Sequence, residues 1–150
     1  MNKNSGFTLI EVLVAILILA LGLLGLAALQ VTSLKNNQSA YTRSQATQLA
    51  YDMADRIRAN VTVASNYIYT TTTVVTAPVG CASTAGCTAA NMATNDLYEW
   101  RSNILSGLPS GLGTILSTNG IYSIIITWDD NRSNAIDSSD PSFTTSFKLQ

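Results

Sequence analysis

Residues 1–30 read MNKNSGFTLIEVLVAILILALGLLGLAALQ, and between Phe7 and Leu29 only Thr8 and Glu11 are polar. A helix rises about 1.5 Å per residue and needs roughly 20 apolar residues to cross a bilayer's hydrocarbon core. The run is therefore a membrane-spanning helix with an acid near one end. An ionised side chain at mid-bilayer costs about 2.5–3.5 kcal/mol on insertion scales, less near the end of a span, so such an acid calls for a function and a partner. A plainer reading has Glu11 reaching the headgroups and favouring the positive end of the helix. Another makes the whole run a secretory signal peptide, which fits poorly. MNKNSG carries one Lys, Glu11 interrupts the run, and the best exit, around Ala27 and Ala28, has Leu26 where a small residue is wanted.

Composition narrows the remaining classes. The 150 residues allow one span and one modest domain. Charged residues make up 11 % of the chain, against roughly 25 % in typical soluble domains, and the formal net charge is −1. The eight basic residues are scattered, so nothing offers the clustered Lys and Arg that grip nucleic acid. The chain has no His, which removes Ser-His-Asp and Cys-His catalysis and most zinc sites, and no GxSxG, P-loop or GxGxxG stretch occurs. The expectation is a non-enzyme without cofactor or metal. Asp52, Asp55, Asp96, Glu99, Asp129, Asp130, Asp137 and Asp140 are then solvated charges on helix faces and in a turn.

The string GFTLIEVLVA, with Gly6 before Phe7 and an acid five residues past that Gly, resembles the class III signal of type IV prepilins and type II secretion pseudopilins. What the resemblance implies is specific. A prepilin peptidase cuts between Gly6 and Phe7 and methylates the new amine of Phe7, and Glu11 becomes the fifth residue of the mature chain. Glu11 then meets the N-terminal ammonium of Phe7 on a neighbouring subunit, each offsetting the other's desolvation, so that the acid favours assembly.

Beyond the span the helix is expected to continue to about Arg58. No Pro occurs before Pro78, and Val31, Leu34, Tyr41, Ala46, Leu49, Ala50, Met53 and Ile57 recur mostly at three- or four-residue steps. Asp52 with Arg56 and Asp55 with Arg58 add i,i+4 and i,i+3 pairs. Gly22 and Gly25 in the apolar half are read as allowing close helix approach, ahead of the alternative, implied by the pilin resemblance, that the helix melts locally there when the subunit leaves the bilayer for the filament. After Asn60, YIYTTTTVVTAPVG is a strand-prone loop. Cys81 and Cys87, in a domain that leaves the cytoplasm, are expected to be joined, closing a small loop worth roughly 2–2.5 kcal/mol. Thr88 is the expected N-cap of a helix whose stripe is Ala89, Ala93, Leu97, Trp100 and Ile104, ending at Gly107 and Pro109. Tyr122, Ile124, Ile126 and Trp128 share one strand face, as do Phe143, Phe147 and Leu149, and Thr114 to Ser117 supplies a third, short strand. Asp129, Asn131 and Ser133 resemble an oxygen-ligand loop. Asn134 stands where a Gly is expected, however, and Asp140 where a Glu closes such loops, so the connection is read as a solvated hairpin link.

These elements give an α+β class with the type IV pilin fold: a long N-terminal helix packed on a small antiparallel sheet with one extra short helix. The divisions are a leader at 1–6, a transmembrane and filament-core helix at 7–29, an amphipathic half at 30–60 and a head at 61–150. LGLLGLAALQ, DMADRIRAN, the Cys pair followed by NDLYEW, LPSGLG and TWDD together resemble the PilV family of minor type IV pilins. That resemblance implies a single-pass inner-membrane protein with a periplasmic head that passes into the pilus and helps to start pili for twitching motility and adhesion. Its implied partners are the prepilin peptidase, other minor pilins and the major pilin, the inner-membrane assembly machinery and a tip adhesin, with no nucleic acid. The alternatives are a minor pseudopilin of type II secretion and a bitopic membrane protein that never polymerises.

Overall fold

A computed structural model describes residues 6–78, 81 and 86–149; leader residues 1–5 and most of the stretch between the cysteines lie outside the described residues. The chain divides into two compact units, residues 1–39 and 40–150. Helix α1, Leu9–Ala59, contributes to both.

Within the first unit every described residue from Gly6 to Gln38 is exposed. The Thr8 carbonyl accepts from the N–H groups of Glu11 (3.1 Å) and Val12 (3.4 Å), which sets the helix going and puts Glu11 in its first turn. Within this helix lies a stretch long and apolar enough to cross a membrane, and none of it is buried.

In the second unit the buried stripe of α1 is Thr42, Ala46, Ala50, Met53, Ala54 and Ile57, at the three- and four-residue steps of one helix face. Val31, Leu34 and Tyr41, assigned to that stripe from their spacing, are exposed. The alanines keep the face shallow, and the indole N–H of Trp100 donates to the Leu49 carbonyl at 2.9 Å. Arg56 and Arg58 lie in the last turn, where cations favour the helix dipole. A 3-10 segment, Val61–Tyr67, follows and ends at Tyr67, where the strand-prone loop is expected to begin. Only Tyr69 makes a strand-like pairing there among the described residues, a two-bond bridge to Ile115.

Cys81 and Cys87 are joined. Helix α2, Ala89–Gly107, starts at Thr88, whose side-chain oxygen accepts from the N–H of Asn91 at 3.2 Å. Its buried residues are Ala93, Asp96, Leu97, Trp100 and Ile104, while Ala89 is exposed. The sheet has order β1-β2-β3, all antiparallel, with β1 Leu112–Thr118, β2 Ile121–Thr127 and β3 Ser142–Lys148. β1 is thus longer than its sequence suggests. Asn119 (φ 53°) and Gly120 (φ 77°) form the two-residue β1–β2 link, a turn that needs two left-handed residues and so favours Asn-Gly. Period-two alternation turns Ile115, Ile124, Ile126 and the following Trp128 into the core, with Phe143 and Phe147 partly buried beside them. At Gly113 a side chain cannot fit, because a Cβ there would lie 2.5 Å from the Trp100 ring.

Candidate functional site

The N-terminal segment carries the chemistry that the sequence singles out. Gly6, Phe7 and Thr8 precede the helix, so the Gly6–Phe7 bond lies in exposed, non-helical chain, and the Phe7 side chain is 83 % exposed. Such a bond can enter a protease cleft, whereas a bond inside a helix cannot without unwinding. Glu11 lies one turn along α1. Together with Phe7, Val12, Ala15, Ile16 and Leu19 it lines a shallow, otherwise apolar groove along one face. The structure therefore brings Phe7 and Glu11 to the same face of one chain, with a carboxylate set in hydrocarbon and open to a neighbour. Gly22 and Gly25 have open space around them, which leaves room for a packed helix.

Two acids read as solvated are not. Asp96 is 7 % exposed and Asp129 2 % exposed. Asp96 accepts from the Tyr67 hydroxyl at 2.6 Å through one oxygen and from Arg56 at 2.8 Å through the other. Arg56 also reaches Asp52, one turn back on α1, at 2.9 Å and Glu99 at 2.9 Å, so one guanidinium ties α1 to α2 through the two carboxylates of Asp96 and Glu99. Burial opposes the charge on Arg56, but its bonds to Glu99 and Asp96 outweigh this and raise its pKa. Burial, then the bond donated to Asp96, pushes the Tyr67 phenol up to about 12. Hydrogen bonds from Arg56 and then Asn95 hold Glu99 below the usual carboxylate range. Asn60 completes the cluster, donating to the Tyr67 oxygen at 3.2 Å and the Ala89 carbonyl at 2.8 Å. This is a clamp between elements. The sequence signal for it was the place of Asp96, three residues past Ala93 and four before Trp100, inside an apolar stripe.

Asp129 is held by its own loop. One oxygen accepts from the N–H of Ser133 (3.0 Å) and the other from that of Asn134 (2.7 Å), while its N–H donates to the Pro109 carbonyl (2.9 Å). Asp140 accepts from the N–H groups of Asp130 and Asp137. Asp129, Asp137 and Asp140 thus serve as acceptors for local backbone donors, whereas Asp130 accepts from the Thr42 hydroxyl and the Trp128 indole. Among the described residues no group of His, Cys, Asp or Glu is placed to hold a metal ion.

Two models of known families match consecutive stretches of the chain. Residues 1–27 match the model of the prokaryotic N-terminal methylation motif. Residues 28–98 match a model described as Tt1218-like, type IV pilin Tt1218. No curated protein and no solved structure matches the chain. A long apolar N-terminal helix, a second helix and a three-stranded antiparallel sheet make up the type IV pilin fold. The chain thus begins with a stretch that matches the prokaryotic N-terminal methylation motif, followed directly by one that is similar to the Tt1218-like type IV pilins.

Proposed function

We propose that the chain is a minor type IV pilin of the PilV kind, with a structural rather than catalytic role. It is made as a single-pass inner-membrane protein with its head in the periplasm. A prepilin peptidase removes residues 1–6 and methylates Phe7, and the mature subunit enters the pilus. There Glu11 neutralises the Phe7 ammonium of a neighbour. With other minor pilins it primes the filament, and its head meets a partner at the tip, while the major pilin forms the shaft.

The observation that carries this reading is the pairing of a methylation motif with an unburied apolar helix whose one acid shares a face with Phe7. The minor role is supported by a mid-chain disulfide, where a major pilin usually closes its C-terminal region, and by the low charge of the head. The family match to a type IV pilin favours a pilus over a secretion system.

Coexpression with a prepilin peptidase should shorten the chain by six residues and leave methylated Phe7, read by mass spectrometry. A mature end near Ala28 would instead establish a secretory signal. In the native host, deletion should reduce surface pili and twitching while the major pilin is still made and cleaved. Copies in sheared pili equal to the major subunit, or normal piliation after deletion, would defeat the minor, priming role.

A further inference from the structure

We propose that Asn131 is an acceptor for an N-linked glycan. The stretch Asp129-Asp130-Asn131-Arg132-Ser133 is an Asn-x-Ser sequon with an acid two residues before the Asn. The Asn-x-Ser/Thr pattern marks surface loops of exported proteins. Bacterial transferases ask in addition for that upstream carboxylate, which a basic side chain of the enzyme can bind.

The sequence holds two other Asn-x-Ser/Thr triplets, and each fails a requirement that Asn131 meets. Asn37 and Asn60 have Lys35 and Arg58, cations, two residues upstream. Asn131 is exposed in the β2–β3 connection. Its side-chain oxygen accepts from the N–H of Ser133 at 2.8 Å, forming an Asx turn across the sequon, and Arg132 takes a left-handed φ of 59°. The amide nitrogen is left with one long bond, 3.3 Å to the Ser139 hydroxyl, at a solvent-facing site where water can replace it.

The reaction needs one co-reactant, an oligosaccharide carried on a polyprenyl pyrophosphate. Asn131 Nδ2 attacks the anomeric carbon, the bond from that carbon to the pyrophosphate oxygen breaks, and its electron pair leaves with the pyrophosphate. Nδ2 gives one proton to a base of the transferase as the C–N bond forms. Nothing is oxidised or reduced.

Burial of Asp129 fixes when this happens. In the folded head its carboxylate is sealed and engaged by Ser133 and Asn134. The enzyme therefore meets the acid on the emerging chain, before the β2–β3 connection closes. Afterwards the glycan remains outside, because Asn131 is exposed.

The test coexpresses the full chain with a bacterial oligosaccharyltransferase and its lipid-linked oligosaccharide in cells lacking prepilin peptidase and pili, so that cleavage and polymerisation do not enter. Intact mass should rise by one glycan, and Asn131→Gln or Ser133→Ala should abolish the rise while Ser133→Thr keeps it. Asp129→Ala should lower occupancy at least tenfold and Asp129→Glu restore it. A misfolded Asp129→Ala head would only leave Asn131 accessible for longer, so a fall reports the acid itself. An unmodified chain whose head is cut by protease added outside the inner membrane, in cells that modify a control acceptor, would overturn the proposal. So would a glycan that survives Asn131→Gln.

Discussion

Replacing Glu11 by Ala removes the only acid between Phe7 and Leu29. Membrane insertion should improve, by up to about 2.5 kcal/mol if the carboxylate sits deep. On the assembly reading, incorporation into pili should nevertheless collapse, because an unpaired ammonium left in an apolar contact costs about 3–5 kcal/mol. Membrane fractionation and immunoblots of sheared pili separate the two effects, and wild-type incorporation of the inserted, cleaved variant would leave only the headgroup reading. Tyr67 makes a second residue-scale case. Its hydroxyl donates to the buried Asp96, so Tyr67→Phe should destabilise the head by about 1.5–3 kcal/mol in a denaturant titration. Its phenol is raised from 10.0 to about 12. The folded head holds that proton more tightly than the unfolded chain does, so this contribution is complete below pH 10 and is lost as the pH rises from 10 to 12. Glu99 acts in the other direction: its lowered pKa contributes above the usual carboxylate range and is lost on acidification.

At the scale of elements, α2 and β1 meet where Trp100 covers Gly113. Gly113→Ala forces a methyl against a ring held by the rest of the core and should cost about 1–3 kcal/mol, whereas Gly107→Ala, with open space around it, should cost nothing measurable. Thermal melts of the two variants check the contrast. Much of this architecture was legible beforehand. The α2 cap at Thr88 and the inward faces of β2 and β3 rest on local chemistry and on side-chain period, which the sequence displays directly. The 3-10 segment after Asn60 carries no periodic signal in the sequence, since its Val and Thr content suits a strand as well, and its hold on the core is through Ala64 and Tyr67. Asp96 was misread because its partners lie 29 and 40 residues away. No local pattern reports such a meeting. Val31, Leu34 and Tyr41 keep helical spacing with nothing packed on them, since periodicity shows a face without showing whether anything covers it.

For the molecule as a whole, the burial pattern separates what folds from what inserts. Every buried residue among those described lies from Thr42 onward. A fragment comprising residues 40–150 should therefore fold cooperatively in water, with a melting transition within a few degrees of the full chain in mild detergent. Circular dichroism of both checks this, and a fragment without a cooperative transition would show that the apolar segment is needed for folding. Reducing the Cys81–Cys87 link in that fragment should lower stability by roughly 2–2.5 kcal/mol through the restored freedom of the unfolded loop.

Trp100 and Trp128 are the two tryptophans of the chain, both fully buried, and the first tyrosine is Tyr41, beyond the apolar run. The head thus carries its own optical gauge while the apolar segment holds no Trp or Tyr. Native emission should be blue-shifted and shielded from iodide. It should redden when the core around Trp100 on α2 or Trp128 after β2 opens, so the state of the head can be followed without a label in micelles or vesicles.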